Sequence, residues 1–422
     1  MLKKVIIVIG CFFIFGCTSK SNYNGKKVTI RFSNAEVVVD QIKIMKEIVK
    51  AFEKENPDIK IKMEWGITPE KILTEVAAGA APDVFMWWMG LDDLIRRDAL
   101  YQMSDFVKKY NIDMNKYFSC IVDHYTYNGK LYAFPLQVKT MCLAYNKNFF
   151  NRNNIQYPNE NWTWNDFLKV AQELTDEKID NKKRKRFGTL LLYVDQWIGL
   201  NGGSIVDVNN KKCVIDSHEA KETLEFLIKL NKTACPTQTE LSSFSGKGGV
   251  APFLSGNIAM IPAPAWMLAP ISNIRNFKWD IVPMPKPPRS KTKYTFDDAG
   301  LVLSKNSKHP EEAFRFISFY CGPKGMNIFA KGRNGIPAYK NSAYNVFMKP
   351  PPQGLKYYLD VAEKATIPIN PRLLKFNEMK AIFIKNWNKV LFENRNLDDT
   401  LKNIKRDINV KFKELDKEKK HI

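Results

Sequence analysis

Histidine is scarce and cysteine follows no pairing pattern: four His occur in 422 residues, at positions 124, 218, 309 and 421. The seven Cys stand at 11, 17, 120, 142, 213, 235 and 321, with no CxxC among them. Zinc sites need Cys and His at short fixed spacings, so no metal and no cofactor are expected. Gly-x-Ser-x-Gly is absent, which removes the nucleophile elbow of the α/β-hydrolases. Gly246-Lys247-Gly248-Gly249 lacks the GxxxxGK[ST] spacing of a phosphate loop and reads as a loop ahead of a short helix at Ala251–Ser255. No stretch after residue 16 approaches the ~18 apolar residues that cross a bilayer. There is no internal repeat and no low-complexity tract. Apolar residues at 45% and charged residues at 26% exclude whole-chain disorder, collagen and coiled coil. Acids are in deficit, 44 against 65 Lys and Arg, giving a net charge of +21. A nucleic-acid partner would require those cations on a recognised module. They are instead dispersed, apart from Lys182-Lys183-Arg184-Lys185-Arg186 and the C-terminus, so the excess reads as solvated surface. Attraction to an anionic membrane or cell wall is a secondary use of it. No nucleic-acid partner is expected.

The amino terminus is more specific. Met1-Leu2-Lys3-Lys4 precedes an apolar run from Val5 to Phe15, the pattern of an export signal and too short to span a membrane. Gly16-Cys17 and the polar Thr18-Ser19-Lys20 that follow resemble the lipobox of bacterial lipoproteins. That resemblance implies cleavage after residue 16, a diacylglycerol on the Cys17 sulfur and a tether over 17–26. Paired acyl chains hold a protein stably on a membrane, where one does not. The five cysteines that remain are an odd number, and a core of this size does not need a disulfide framework.

Periodicity gives α/β class. Val28–Phe32 reads as a strand, and Met45, Ile48, Val49 and Phe52 recur at helical spacing over 40–55. Ile59, Ile61, Met63 and Trp65 alternate as a second strand, so the unit is βαβ with parallel strands. Thr68-Pro69-Glu70 starts a helix that Gly79 ends, and Val84–Trp87 is a buried strand. Helices are also expected from Trp164, from Asp216 or Ser217, from Pro310 and from about Leu397, with a frayed charged tail over 416–422. Residues 285–295, rich in Pro and Lys, form the clearest linker.

Several fragments, in order, resemble the extracellular solute-binding proteins of ABC importers, of the maltose and multiple-sugar type. They include Ala51-Phe52-Glu53-Lys54-Glu55-Asn56-Pro57, Ala81-Pro82-Asp83-Val84-Phe85, Asn128-Gly129-Lys130-Leu131-Tyr132-Ala133-Phe134-Pro135 and Ala144-Tyr145-Asn146-Lys147. Trp162-Thr163-Trp164-Asn165-Asp166-Phe167, Asn201-Gly202-Gly203, Gly256-Asn257-Ile258-Ala259-Met260 and Gly335-Ile336-Pro337-Ala338 follow. The resemblance covers about residues 28–415. It implies a two-lobed fold of the periplasmic-binding-protein type (type II), each lobe a sheet flanked by helices, with hinge crossings near 138–143, 286–296 and 330–337. The lobes are then 27–138 plus 296–330 and 139–286 plus 337–415. It further implies a monomer that captures a saccharide, more specifically an oligosaccharide, in the cleft by hinge closure and passes it to membrane permease subunits. A surface-anchored carbohydrate-active enzyme, a sensor or adhesin, and a carrier of glycerol phosphate are the alternatives.

Sugars present an apolar C–H face and a rim of hydroxyls, which aromatic planes and a few placed polar groups recognise. The 12% aromatic content and nine Trp suit that chemistry. The resemblance places the ligand contacts at Trp87 or Trp88 after the third strand, Trp266 after the Ile258–Ile261 strand, Trp65 and Trp197. It adds Asn34 and Glu36 after the first strand, and Asp298 and Arg333 near the crossings. Successive strand residues point oppositely, so one of Trp87 and Trp88 is expected in the cleft. Trp162, Trp164, Trp279 and Trp387 read as packing residues.

Overall fold

The computed structural model describes residues 25, 27–176, 186–242, 244, 250–288 and 293–420. Cys17, the export signal, most of the Lys182–Arg186 run and Gly246–Gly249 lie outside the described residues.

Strand β1 (Val28–Ser33) leads through helix α1 (Val39–Glu55) to β2 (Ile59–Glu64), and through α2 (Pro69–Ala77) to β3 (Val84–Trp87). β1 lies parallel to both neighbours, Val28 opposite Ile59 and Phe32 opposite Val84. α1 buries Met45, Ile48, Val49 and Phe52, the stripe its 3.6-residue period places on one side. Thr68 accepts the Lys71 N–H ahead of Pro69, and so caps α2.

β4 (Ala133–Lys139) and β5 (Met141–Asn146) are separated by Thr140 alone, yet they belong to different sheets. The chain then builds α3 (Trp164–Glu173), β6 (Phe187–Thr189), α4 (Val194–Leu200), α5 (His218–Ala234), β7 (Ile258–Pro264) and β8 (Trp279–Pro283). It returns as β9 (Thr295–Leu303), α6 (Pro310–Cys321), β10 (Ile336–Pro337) and β11 (Ile367–Pro368), and ends in α7 (Phe376–Glu393) and α8 (Leu397–Lys420). The first sheet runs β10-β4-β9-β3-β1-β2, with β11 beside β9; the second runs β8-β5-β7-β6. β9 pairs antiparallel with both β3 and β4, so the centre of the first sheet is filled by a late segment.

One core gathers Phe32, Phe52, Phe85, Phe134 and Phe316 under the first sheet. A second gathers Leu143, Phe167, Trp197, Leu227 and Phe383 with the last two helices. The protein is therefore two α/β lobes with interleaved chain segments.

The first crossing is Lys139-Thr140-Met141, inside the expected 138–143. The second runs from Pro283 to Thr295. The third is displaced from 330–337. Ile336 pairs with Val138 in the first sheet, and the chain meets the second only near Gly354, whose N–H donates to Asp280. At the carboxyl end, α8 stays helical to Lys420 where a frayed tail was expected, because Phe412 and Leu415 extend its buried stripe. Among the described residues no helix is long and apolar enough to cross a membrane, and Cys120, Cys142, Cys213 and Cys321 are free thiols.

Candidate ligand cleft

Parallel strands of both lobes end at the same place. β1 and β3 deliver Ala35, Met86 and Trp88; β6 and β7, which are parallel to each other, deliver Leu190–Gln196 and Trp266. Ligands of α/β sheets bind at these carboxyl ends, where loops are free to diversify. A cavity of about 1130 Å³ lies between the two sets.

Its aromatic walls come from both lobes. Met86 and Trp88 point into it with the two-residue period of a strand. Trp266 sits in a single 3₁₀ turn after β7, is 37% exposed, and meets Tyr193 edge-on at 6.3 Å. Tyr193 adopts a left-handed conformation at the start of α4 (φ 58°, ψ 51°), which turns its ring toward Trp266 and Met267.

Polar groups line it from both lobes. Gln137 from β4 is 5% exposed, and its Oε1 is buried with no hydrogen-bond partner among the described residues. Gly335 makes this position possible. It has φ 125°, and a Cβ there would fall 1.9 Å from Gln137 Oε1. Lys139 Nζ donates to the Asp298 carbonyl at 2.8 Å and lies 3.9 Å from Asp297 Oδ2. Asp297 also accepts from Asn370, which in turn donates to the Trp88 carbonyl. On the other lobe Lys380 and Asp195 form an ion pair at 2.5 Å.

The nine residues singled out from sequence divide between cleft and scaffold. Trp88 and Trp266 line the cavity. Trp87 does not: it is 4% exposed, donates its indole N–H to the Gly90 carbonyl and packs on Phe85. Trp197 is fully buried among Trp164, Phe167 and Phe226, because α4 turns it into the second core. Trp65 is half-buried against the first core, outside the cavity lining. Asn34 is buried, and its Oδ1 caps the Glu36 N–H. Glu36 accepts from Val37, Val38 and Asn334, a loop-fastening role beside the cavity wall. Arg333 donates to Ser272 and to the carbonyls of Lys349 and Pro351, so its fork closes a loop.

Asp298 points away from the cavity. Tyr125 donates to it, and His124 Nε2 lies 3.4 Å from Oδ2. Burial, with Asp297 beside it, pushes its carboxyl up to about 7, while burial brings His124 down to about 4. The neighbour Asp297 is the one that lines the cleft. Reading the chain by fragments missed Tyr193, Gln137, Lys139, Asp195 and Lys380. An aromatic soon after the end of β6 was a usable signal for Tyr193; the others carry none.

Residues 37–327 match the sequence pattern of the bacterial extracellular solute-binding proteins. The chain belongs to that family. Among other extracellular solute-binding proteins, the multiple sugar-binding protein of Streptococcus mutans is 25% identical over 326 residues, 72% of this chain and 73% of its own. The maltodextrin-binding protein of Bacillus subtilis is 24% identical over 367 residues, 80% of this chain and 81% of its own. An ABC substrate-binding protein from Listeria monocytogenes, solved in complex with cycloalternan, superposes with a TM-score of 0.80 at 25% identity, covering 92% of this chain and 99% of that one. The two-lobed architecture is thus the solute-binding fold.

Proposed function

We propose that the protein captures a saccharide between its lobes and hands it to the permease subunits of an ABC importer. The observation that carries this is the placing of Trp88 on one lobe and of Trp266 with Tyr193 on the other, around one cavity at the carboxyl ends of both sheets. Aromatic planes take the C–H faces of a sugar, and Gln137 Oε1, an acceptor without a partner, takes a hydroxyl. A ligand gripped from both lobes favours their closed arrangement, the differential contact that drives hinge closure. The relatives named for sugars and maltodextrin support the class of solute. Cys17 carries the lipid that holds the mature, monomeric protein on the extracytoplasmic face of the membrane.

A binding role is favoured over a hydrolytic one. A glycosidase needs two carboxylates poised as acid and base across the scissile bond. Among the described residues the carboxylates lining this cavity are Asp195 and Asp297, and each lies beside a lysine. The test is a thermal-shift screen across a saccharide panel, since ligand at ~100 Kd adds ~2.7 kcal/mol of stability. The expected result is a raised Tm with at least one sugar, lost in Trp266→Ala, with no product formed on incubation. A panel with no hits would remove the saccharide assignment, and product release would remove the binding-only reading.

A further inference from the structure

The cavity does not stop at the cleft. Lys380, Ile384, Trp387, Asn388 and Leu391 of α7 all line it. These positions recur at i, i+4, i+7, i+8 and i+11, so they form one helix face, and at 1.5 Å per residue that face extends for ~16 Å. Pro236, Leu241 and Pro252 line the same cavity, and with the α7 face they make up its arm. The whole space, at about 1130 Å³, exceeds the ~300–1,000 Å³ of ordinary small-molecule sites. The arm is continuous with the space between Trp88 and Trp266, so whatever is gripped there has a built path along α7.

The charges are equally specific. The cations lining the cavity, among the described residues, are Lys139 and Lys380. Lys380 is held by Asp195 and Lys139 by the Asp298 carbonyl and Asp297, while Arg333 is fastened elsewhere. A carboxylate or phosphate brought into the closed cleft would find, among the described residues, no cation without a partner to compensate it, and an uncompensated buried charge is costly.

We infer that the ligand is an uncharged saccharide of three or more rings, whose far end lies along the α7 face from Lys380 to Leu391. This rests on the saccharide reading above and specifies it. The arm walls include Pro236, Leu241, Pro252, Ile384 and Leu391, apolar surface for ring faces, with Asn388 and the paired Lys380 among them. They select for length, and leave the identity of the sugar to the polar groups around Gln137 and Asp297.

The test is isothermal titration of the full chain with maltose to maltohexaose, mannobiose to mannohexaose, and trigalacturonate. Within a series that binds, the four-ring member should bind ~tenfold or more tighter than the two-ring member. Ile384→Ser, and Asn388→Trp at an exposed position of the same face, should each bring that ratio toward one. Equal affinity for two and four rings in the unaltered protein would overturn the arm, and so would variants that leave the ratio intact. Trigalacturonate binding more tightly than the neutral trimers would overturn the uncharged ligand. Those results leave the saccharide reading standing. Failure of every series to bind would overturn the saccharide reading and this inference together.

Discussion

At the end of β3, Trp88 lines the cleft while its neighbour Trp87 is packed on Phe85 and hydrogen-bonded to Gly90. Asp297 and Asp298 repeat this arrangement on β9, one in the cavity and the other buried beside Tyr125 and His124. Strand alternation dictates that one of each pair faces the cleft, but not which one. Val84-Phe85-Met86-Trp87 is apolar on both faces, so no apolar–polar rhythm marks the parity. That is why the sequence pointed to the right segments and left the choice between adjacent residues to the structure. The buried partner has a measurable signature. An Asp in the unfolded chain ionises near ~3.9, whereas Asp298 stays protonated up to about 7. Between these values the folded protein keeps a proton that the unfolded chain has released, so the ionisable group costs stability as pH rises. His124, Tyr125, Lys139 and Asp297 surround it. Asp298→Asn, which keeps the neutral shape, should therefore gain in Tm relative to the parent as pH rises from about 4 to about 7. A Tm difference that stayed flat across that range would show that Asp298 is ionised throughout.

Elements with a periodic signal were legible. α1 shows its stripe at Met45, Ile48, Val49 and Phe52. Thr163 and Asp166 cap α3 reciprocally, as the run Thr163-Trp164-Asn165-Asp166 suggests. The third crossing was not legible, because β10 is only Ile336 and Pro337, too short to show a period. Its position is fixed instead by pairing with β4 and by Gly335, which allows the backbone to pass close to Gln137. Gly335→Ala places a Cβ into Gln137 Oε1 and strains a positive φ, so it should cost ~1–3 kcal/mol. It should also weaken binding of whichever saccharide raises the Tm, since Gln137 must move. Thermal unfolding and titration calorimetry check both effects. A variant that melts and binds like the parent would show that this close approach does not hold Gln137.

Over the whole molecule, the order of short fragments along the chain was enough to give two lobes, while the arm along α7 was invisible. Its residues come from a helix that reads as packing, and Trp387, 3% exposed, belongs to the second core as well as to the cavity wall. The anchoring proposal is also tested at this scale. The parent protein should sediment with membranes, and Cys17→Ser should move to the soluble fraction. Sedimentation of both would place the attachment elsewhere. The connectivity of the first sheet has one more consequence. β9 lies between β3 and β4, yet it follows the whole of β5 to β8 in the chain. A nascent chain therefore carries an open slot at the centre of its first lobe until residues near 303 are present. Pairing across so many residues is slow, because loop entropy is lost before the contacts reward it. The fold thus sets its own clock, and the lobe that begins first is among the last parts to be completed.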